Sequence, residues 1–249
     1  MKNIFKIDNS VYVLMLLGLL SGYIKNIFIV LVIVLIHELG HVFFFYMFNY
    51  KVDSVVIYPF GGVSKVNKRV HERIYKDVIV SLGGIMFQVL LWFVFYLLYN
   101  CSFIVRSTYD MFVTYNFRIV LFNLIPIIPL DGSKLLFALC TKYLSFKKSY
   151  YMMVIVGSVS LVLFVLYNFI FKLNDLIIYI FLIISLYDVI RESKYVINKF
   201  YLERVLYDNY YDGIIYKAKI DDMRLNKYYY FEDSNKYISE KKYLIKNKY

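Results

Sequence analysis

Residues 31–48, LVIVLIHELGHVFFFYMF, place His37, Glu38 and His41 inside a run that is otherwise almost entirely apolar. An apolar run of about 20 residues can cross a membrane as a helix. Ionisable side chains are costly at that depth, so they usually mark a functional site. The stretch therefore predicts a membrane helix that carries chemistry.

The composition extends this interpretation to most of the chain. The 249 residues are 61% hydrophobic, whereas soluble domains contain roughly 45–50% apolar residues. Six apolar runs are candidate membrane spans, the first of them shorter than a normal span: 11–24, 27–48, 78–99, 119–140, 152–171 and 176–190. We therefore expect an all-α polytopic membrane protein with six transmembrane helices. Because no cleavage site of a signal peptide is present, the first run is expected to remain attached.

The distribution of charge predicts the topology. A net charge of +11 would suggest nucleic acid as the partner of a soluble protein, but here the basic residues fall mostly between the apolar runs. Basic residues favour cytoplasmic connections, and the richest connection holds Lys51, Lys65, Lys68, Arg69, Arg73 and Lys76. We therefore expect both termini to be cytoplasmic, the lipid bilayer to be a partner, and no nucleic acid to bind.

The composition changes after residue 190 to a segment of mixed charge that is rich in Tyr and Lys. We therefore expect a six-helix membrane domain over residues 1–191 and a partly helical cytoplasmic tail over residues 192–249. The two cysteines, Cys101 and Cys140, are too few for a disulfide framework or a thiolate metal site.

The spacing of the two histidines indicates a metal site. His37 and His41 are four residues apart, which places both side chains on one face of a helix. This geometry suits two ligands of Zn2+, with Glu38 near enough to take a proton from a water molecule. The alternative is a buried polar cluster that is hydrogen-bonded to neighbouring helices. The free-energy cost of desolvating such a cluster in a membrane favours the metal site.

A zinc site with two histidines needs a third protein ligand. Asp131, in the stretch NLIPIIPLDGSKLL at 123–136, is the one other acidic residue far from the ends of a candidate span. At about 1.5 Å per residue, His41 and Asp131 lie roughly 10 Å and 14 Å above the inner ends of their helices, so the two can meet. The prolines of this stretch are expected to break the helix before Asp131. The alternative is a proline-kinked helix in which Asp131 pairs with Lys134.

Together the two motifs resemble the signatures of the site-2 protease family of intramembrane zinc metalloproteases, peptidase family M50. The first motif is HELGH, and the second comprises Asn123, Pro126, Pro129, Asp131 and Gly132. The resemblance covers roughly residues 10–190. It implies that His37, His41 and Asp131 are zinc ligands and that Glu38 is the general base. It further implies that Asn123 holds the substrate or the developing oxyanion.

The spacing of the motifs indicates which group within the family the chain resembles. Between His41 and Asn123 the chain has only a basic loop and one apolar helix, which leaves no room for the PDZ domain of many bacterial members. With YPFGGVSKV at 58–66 soon after HELGH, the chain is similar to the stage IV sporulation protein FB group of endospore-forming bacteria. The tail is too short for the complete CBS domain of that group.

This similarity implies a substrate and a location. Members of the group remove the pro-sequence of a membrane-associated sigma-factor precursor in the mother-cell membrane around the forespore. Companion membrane proteins hold them inactive. We therefore expect an intramembrane zinc metalloendopeptidase with such a substrate. The alternative is a zinc-binding membrane protein without proteolysis, either a transporter or an inactive scaffold that only holds substrates.

The basic loop permits two further expectations. The segment KVDSVVIYPFGGV at 51–63 is β-branched and is compatible either with a strand that ends at the glycines or with an ordinary loop. His71, in the same loop, is expected to be solvated rather than a metal ligand.

Overall fold

The computed structural model describes residues 5–58, 61–171, 176–207, 211–216, 219–233 and 236–247. The chain divides into two compact units, one formed by residues 1–68 and 79–124 and the other by residues 69–78 and 125–249. Helix α3 (Ile74–Asn100) begins in the second unit and continues into the first.

The first unit is built on helices. Besides most of α3, it contains α1 (Asn9–Leu20), α2 (Ile24–Met47) and α4 (Arg106–Leu124). Asp8 caps the N-terminus of α1, because its Oδ1 accepts a hydrogen bond from the Ser10 N–H at 3.0 Å. Gly22 has a φ of 78° in the turn between α1 and α2, a left-handed conformation that favours glycine.

A three-stranded sheet accompanies these helices. β2 pairs in parallel with β1 and antiparallel with β3; the strands are β1 (Phe5–Ile7), β2 (Lys51–Tyr58) and β3 (Gly61–Asn67). Val55 and Ile57 are the buried residues of β2, as expected for alternating side chains. Of the two alternatives that the sequence left open for the basic loop, the strand is the one present, over Lys51–Tyr58, and a second strand begins at the glycines. Residues 59 and 60 lie outside the described residues.

Helices α2, α3 and α4 share an apolar core. Ile33 of α2 and Phe112 of α4 are fully buried, and the Phe112 ring stacks on Phe95 of α3 with centroids 3.7 Å apart. On other faces large apolar side chains are exposed, among them Leu90 and Phe93 of α3. Apolar side chains that point outward from a helix suit contact with lipid.

Among the described residues, three helices are long and apolar enough to cross a membrane: Ile24–Met47, Ile74–Asn100 and Phe146–Tyr167. α1 is apolar but shorter. The prediction of six transmembrane helices is therefore not confirmed. The prediction of an all-α fold is wrong, because two three-stranded sheets are present. Both sheets form in segments before, between or after the apolar runs, where the sequence shows no strong helical period.

The second unit contains three long or medium helices, α5 (Asp131–Tyr143), α6 (Phe146–Phe171) and α7 (Leu176–Leu206). The sequence predicted one candidate span over 119–140, broken by its prolines before Asp131, and the structure has two separate helices there. α4 ends at Leu124 and α5 starts at Asp131. Prolines at 126 and 129 cannot donate backbone hydrogen bonds within a helix, so the chain leaves the helical path between them.

The break between α4 and α5 is well packed. Ile127, Ile128 and Leu130 are 1%, 3% and 8% exposed, and Leu130 N–H donates to Ile127 O at 2.8 Å. Irregular backbone at membrane depth is tolerated where protein covers it. The break therefore gives α5 a fixed beginning at Asp131.

The tail is a folded α/β structure. β5 pairs in parallel with β4 and antiparallel with β6; the elements are β4 (Gly213–Tyr216), a 3-10 turn (Ile220–Asp222), β5 (Lys227–Asp233), β6 (Lys236–Ser239) and α8 (Glu240–Lys246). Its core joins the sheet to helices α6 and α7, and the Phe146 and Phe200 rings stack with centroids 4.2 Å apart. The sequence predicted a partly helical tail and did not indicate its strands, because the tyrosines and lysines obscure the alternation.

A buried ion pair lies within the tail. Arg204 Nη1 and Glu240 Oε2 are 2.8 Å apart, and both side chains are fully buried. The guanidinium also lies over the rings of Phe200, Tyr211 and Tyr229. Burial raises the pKa of the Glu240 carboxyl, although the neighbouring Arg204 opposes that rise. An ion pair so completely removed from water needs these additional contacts.

His71 packs against the same cluster, so the expectation that it is solvated is wrong. Its ring stacks on Phe200 with centroids 5.9 Å apart and meets the Tyr211 ring edge-on. The backbone N–H groups of Val70 and His71 donate to Glu203 Oε2 at 2.7 Å and 3.1 Å. Burial, with a smaller effect of the Arg204 charge, lowers the pKa of His71 to about 3.

Candidate metal centre

Helix α2 presents three ionisable side chains together. His37, Glu38 and His41 are 4%, 7% and 5% exposed. A ligand atom of each lies within 4.8 Å of the others, so the group could hold a metal ion. The four-residue spacing therefore produces the shared face that the sequence predicted.

Close approach of α3 positions these side chains. A Cβ on Gly40 of α2 would overlap the carbonyl group of Gly83 in α3, and a Cβ on Gly84 would overlap the His37 ring. Small residues let helix backbones approach closely where two membrane helices cross. The pair of glycines in SLGGIMFQ, at 81–88, is the signal that could have indicated this crossing.

The Nδ1 atom of each histidine has a hydrogen-bond partner on α3. His37 Nδ1 lies 2.9 Å from Gln88 Oε1, and His41 Nδ1 lies 2.7 Å from the Val80 carbonyl oxygen. Since an oxygen of this kind only accepts, each Nδ1 carries the proton and donates it. In the neutral imidazole each Nε2 then presents a lone pair. A metal-binding histidine usually has such a hydrogen-bond partner on the ring nitrogen that does not bind the metal, which here is Nδ1.

The donor set fits a cation. The Nε2 atoms of His37 and His41 are 3.0 Å apart, and lone pairs that face each other at this distance repel unless a positive charge lies near both. Imidazole nitrogens suit Zn2+ and other divalent transition metals. The residues present therefore fit the zinc ion that the sequence predicted.

A backbone amide from the sheet holds Glu38. The Gly62 N–H donates to Glu38 Oε1 at 2.9 Å, and a Cβ on Gly62 would overlap the Glu38 carboxyl group. The start of β3 thus lies directly against the carboxylate. The two glycines are visible in the sequence as part of YPFGGVSKV, but nothing there indicates a contact with Glu38.

Asn123 lies in the last turn of α4, in the first unit. It is half-buried, and its Nδ2 donates to the Ile119 carbonyl oxygen of the same helix at 3.1 Å. A side-chain amide in this state keeps its carbonyl oxygen as an acceptor. Its predicted role toward the substrate stays a prediction.

Asp131 is the first residue of α5, in the second unit, and is 3% exposed. Its Oδ1 accepts a hydrogen bond from Lys134 Nζ at 2.8 Å, the pairing that the alternative interpretation expected. The estimate of its depth assumed a continuous helix over 119–140, and the break before Asp131 removes that assumption. Its role as third ligand stays a prediction.

Comparisons with known proteins agree with these features. The family model described as Peptidase family M50 matches residues 25–105 and 100–167. Stage IV sporulation protein FB of Bacillus subtilis (strain 168) is 33% identical over 196 residues, which cover 78% of this chain and 68% of that protein. A zinc metalloprotease of Methanocaldococcus jannaschii is 27% identical over 119 residues, which cover 47% of this chain and 34% of that protein.

A solved structure has the same fold. The site-2 protease from Methanocaldococcus jannaschii matches with a TM-score of 0.57 and 21% identity, and the match covers 78% of this chain and 93% of that one. The family match spans both motifs, HELGH and the segment around Asp131. The chain therefore belongs to peptidase family M50 and is a membrane protease of the site-2 protease family.

Proposed function

We propose that the chain is a zinc metalloendopeptidase that cleaves a membrane-associated protein within or beside the bilayer. The observation that carries this proposal is the convergence of His37 and His41 Nε2, 3.0 Å apart, beside the buried Glu38. Three ionisable side chains in an apolar helix are costly without a function. Membership of family M50 supports the same activity.

In this proposal His37, His41 and Asp131 hold the metal. Zn2+ supplies Lewis acidity, which lowers the pKa of a water molecule and polarises the scissile carbonyl. Glu38 accepts the proton of the attacking water at its carboxylate and later delivers it to the leaving amine. The Gly62 N–H keeps one carboxylate oxygen in place, which leaves the other oriented for proton transfer.

Asn123 is proposed to bind the substrate. Its Nδ2 now donates to Ile119 O within α4 and would turn toward a substrate carbonyl or the oxyanion that develops there. A donor aimed at developing negative charge stabilises the transition state. A helical substrate must first unwind, because its carbonyls are otherwise bonded internally.

The proposed substrate is a sigma-factor precursor made during sporulation. The similarity to a stage IV sporulation protein supports this choice, and the proposed reaction removes the pro-sequence of the precursor. Companion membrane proteins are proposed to restrain the enzyme until cleavage is required.

The experiment compares purified wild type with Glu38→Gln on a candidate membrane precursor. Both proteins should retain zinc in stoichiometric amount, whereas only the wild type should cleave. Glu72→Gln is the matched control, because Glu72 pairs with Lys76 before the apolar part of α3 and should leave cleavage unchanged. Equal cleavage by wild type and Glu38→Gln would remove Glu38 from the mechanism. Zinc binding without any cleavage by wild type would favour a transporter or scaffold.

The proposed location is a cell membrane with both termini cytoplasmic, and in a spore former the mother-cell membrane around the forespore. The tail from residue 192 would then be cytoplasmic. Cys101 is exposed just after α3 and should lie on the other side. When the protein is produced in a host that does not sporulate, a membrane-impermeant maleimide should therefore label intact spheroplasts at Cys101, and Cys101→Ser should lose the label. Labelling only after lysis would reverse the topology.

A further inference from the structure

Two buried amide side chains lie behind His37. Gln88 of α3 is 0% exposed and Asn116 of α4 is 7% exposed. A buried amide without hydrogen bonds is costly, because it has lost its bonds to water and gained none in their place. The two side chains bond to each other, Gln88 bonds also to His37, and Asn116 bonds also to the Gln88 backbone oxygen. Burial of both amides is therefore costly unless these bonds are kept.

One backbone carbonyl fixes the orientation of the whole chain of bonds. The Gln88 backbone oxygen can only accept, so the Asn116 atom 3.3 Å from it is the donor Nδ2. Asn116 Oδ1 therefore faces Gln88 Nε2, at 3.2 Å, and accepts from it. That leaves Gln88 Oε1 toward His37 Nδ1, at 2.9 Å.

This orientation selects one tautomer of His37. Because Oε1 only accepts, Nδ1 must carry the ring proton, and Nε2 then holds the lone pair that faces His41. A Gln88 amide turned by 180° would present its NH2 group instead. His37 would then carry its proton on Nε2, where it would block metal binding.

We infer that Gln88 and Asn116 are positioning residues that hold His37 as the Nδ1–H tautomer and thereby raise the zinc affinity of the site. Asn116 acts through Gln88 and does not contact the histidine in this chain of bonds. The inference rests on the proposed zinc site, but the tautomer can be measured without zinc and without proteolysis.

Because the chain contains few histidines, the tautomer of His37 can be measured by NMR without crowded signals. The chain has three histidines, so selective 15N-histidine labelling of the full-length protein in detergent gives three rings to assign. The tautomer is read from the 15N shifts of metal-free protein at a pH where the rings are neutral. His41 is the internal control, because its Nδ1 partner is the backbone oxygen of Val80, which no side-chain substitution removes.

The first two variants alter Gln88, which is the hydrogen-bond acceptor for His37 Nδ1. Gln88→Met removes the acceptor at similar side-chain length and should give His37 a mixture of tautomers while His41 stays Nδ1–H. Zinc affinity, measured by competition with a chelator, should fall by about 10- to 100-fold, as for other outer partners of metal ligands. Gln88→Glu keeps an acceptor and should restore the tautomer and most of the affinity.

Asn116→Leu tests the indirect role and also decides the matter if Gln88→Met does not fold. It should allow the Gln88 amide to turn, so that His37 becomes a mixture and zinc affinity falls. The double variant should bind zinc no more weakly than Gln88→Met alone, since both changes act on one bond. Thr141→Val removes a buried hydroxyl that bonds its own helix and should change neither measurement.

An unchanged Nδ1–H tautomer at His37 in both Gln88→Met and Asn116→Leu would overturn the inference. So would a zinc dissociation constant within about twofold of wild type in either folded variant, since outer partners usually contribute 10- to 100-fold. If wild type shows the expected tautomer yet binds no zinc, the proposed function fails while the assignment of the tautomer stands.

Discussion

Two glycines shape the candidate metal centre at the scale of single residues. A Cβ on Gly62 would overlap the Glu38 carboxyl group, and a Cβ on Gly84 would overlap the His37 ring. Each glycine thus leaves room for one side chain, and the two side chains have different proposed roles. Substitutions at the two positions should therefore have different effects.

Gly62→Ala should impair turnover but not zinc binding. The alanine would keep the N–H that bonds Glu38, but its methyl group would displace the carboxylate. A misplacement of about 1 Å can reduce turnover on the order of 100-fold. Cleavage kinetics and zinc stoichiometry should be measured on the same preparation. Loss of zinc in step with activity would contradict a specific effect on Glu38.

Gly84→Ala should impair zinc binding. The added methyl group pushes the His37 ring away from its Gln88 contact, and zinc affinity should fall by about 10- to 100-fold. Overpacking should also lower the free energy of unfolding by about 1–3 kcal/mol.

Gly157→Ala is the matched control for Gly84→Ala. It adds the same methyl group to an apolar helix, but the nearest atoms lie at ordinary contact distances of 3.4–3.5 Å. Zinc affinity should therefore stay at the wild-type value. An equal loss in both variants would show that the effect is a general one on helix packing.

At the scale of elements, one face of α3 supports the histidines. Val80, Gly84 and Gln88 follow each other at four-residue intervals and supply a carbonyl acceptor, space and an amide acceptor. Helical periodicity places such residues on one face. α3 is apolar on most faces, so its hydropathy does not indicate which face meets α2, and the glycine pair is the signal that does.

The break before α5 is the second decisive element. It makes Asp131 the first residue of a helix, and a carboxylate in the first turn is stabilised by the helix dipole. The prolines predicted a break, but the separate helix α5 and its start at Asp131 came from the structure.

Asp131→Ala tests the predicted third ligand. Zinc affinity should fall by more than the roughly 10- to 100-fold that loss of an outer partner causes. Lys134→Ala is the control, because it removes the partner of Asp131 on a side chain that is 56% exposed and should leave zinc bound. Full zinc occupancy in Asp131→Ala would exclude Asp131 as a ligand.

At the scale of the whole molecule, the tail is tied to the segment that leads into α3. Glu203 of α7 accepts both N–H groups at Val70 and His71, and the His71 ring packs on Phe200. The second unit therefore includes residues 69–78 as well as the tail.

This packing makes the stability of the second unit depend on pH. The pKa of His71 is lowered from 6.5 to about 3. Between these two pH values the unfolded chain therefore binds a proton at His71 that the folded chain does not bind. Stability from this group is full above about 6.5 and is lost as the pH falls towards 3. Thermal unfolding at pH 7 and pH 5 should show a larger drop for wild type than for His71→Leu. Equal drops would contradict the buried, neutral His71.

Sequence alone determined the features that depend on local spacing and composition. HELGH predicts its shared face because helical periodicity is a property of a few consecutive residues. The apolar runs predict α2 and α3 as spans, and the prolines before Asp131 predict a break. These inferences require no knowledge of what lies against the helix.

The tertiary structure decided which groups meet. The contacts of His37 with Gln88, of His41 with Val80 and of Glu38 with Gly62 join residues far apart in the chain. They depend on the rotation and crossing of α2, α3 and β3, which apolar sequences do not specify because lipid and protein accept the same side chains. The strands of the tail likewise pack on α6 and α7 through a shared core, which joins residues far apart in the chain.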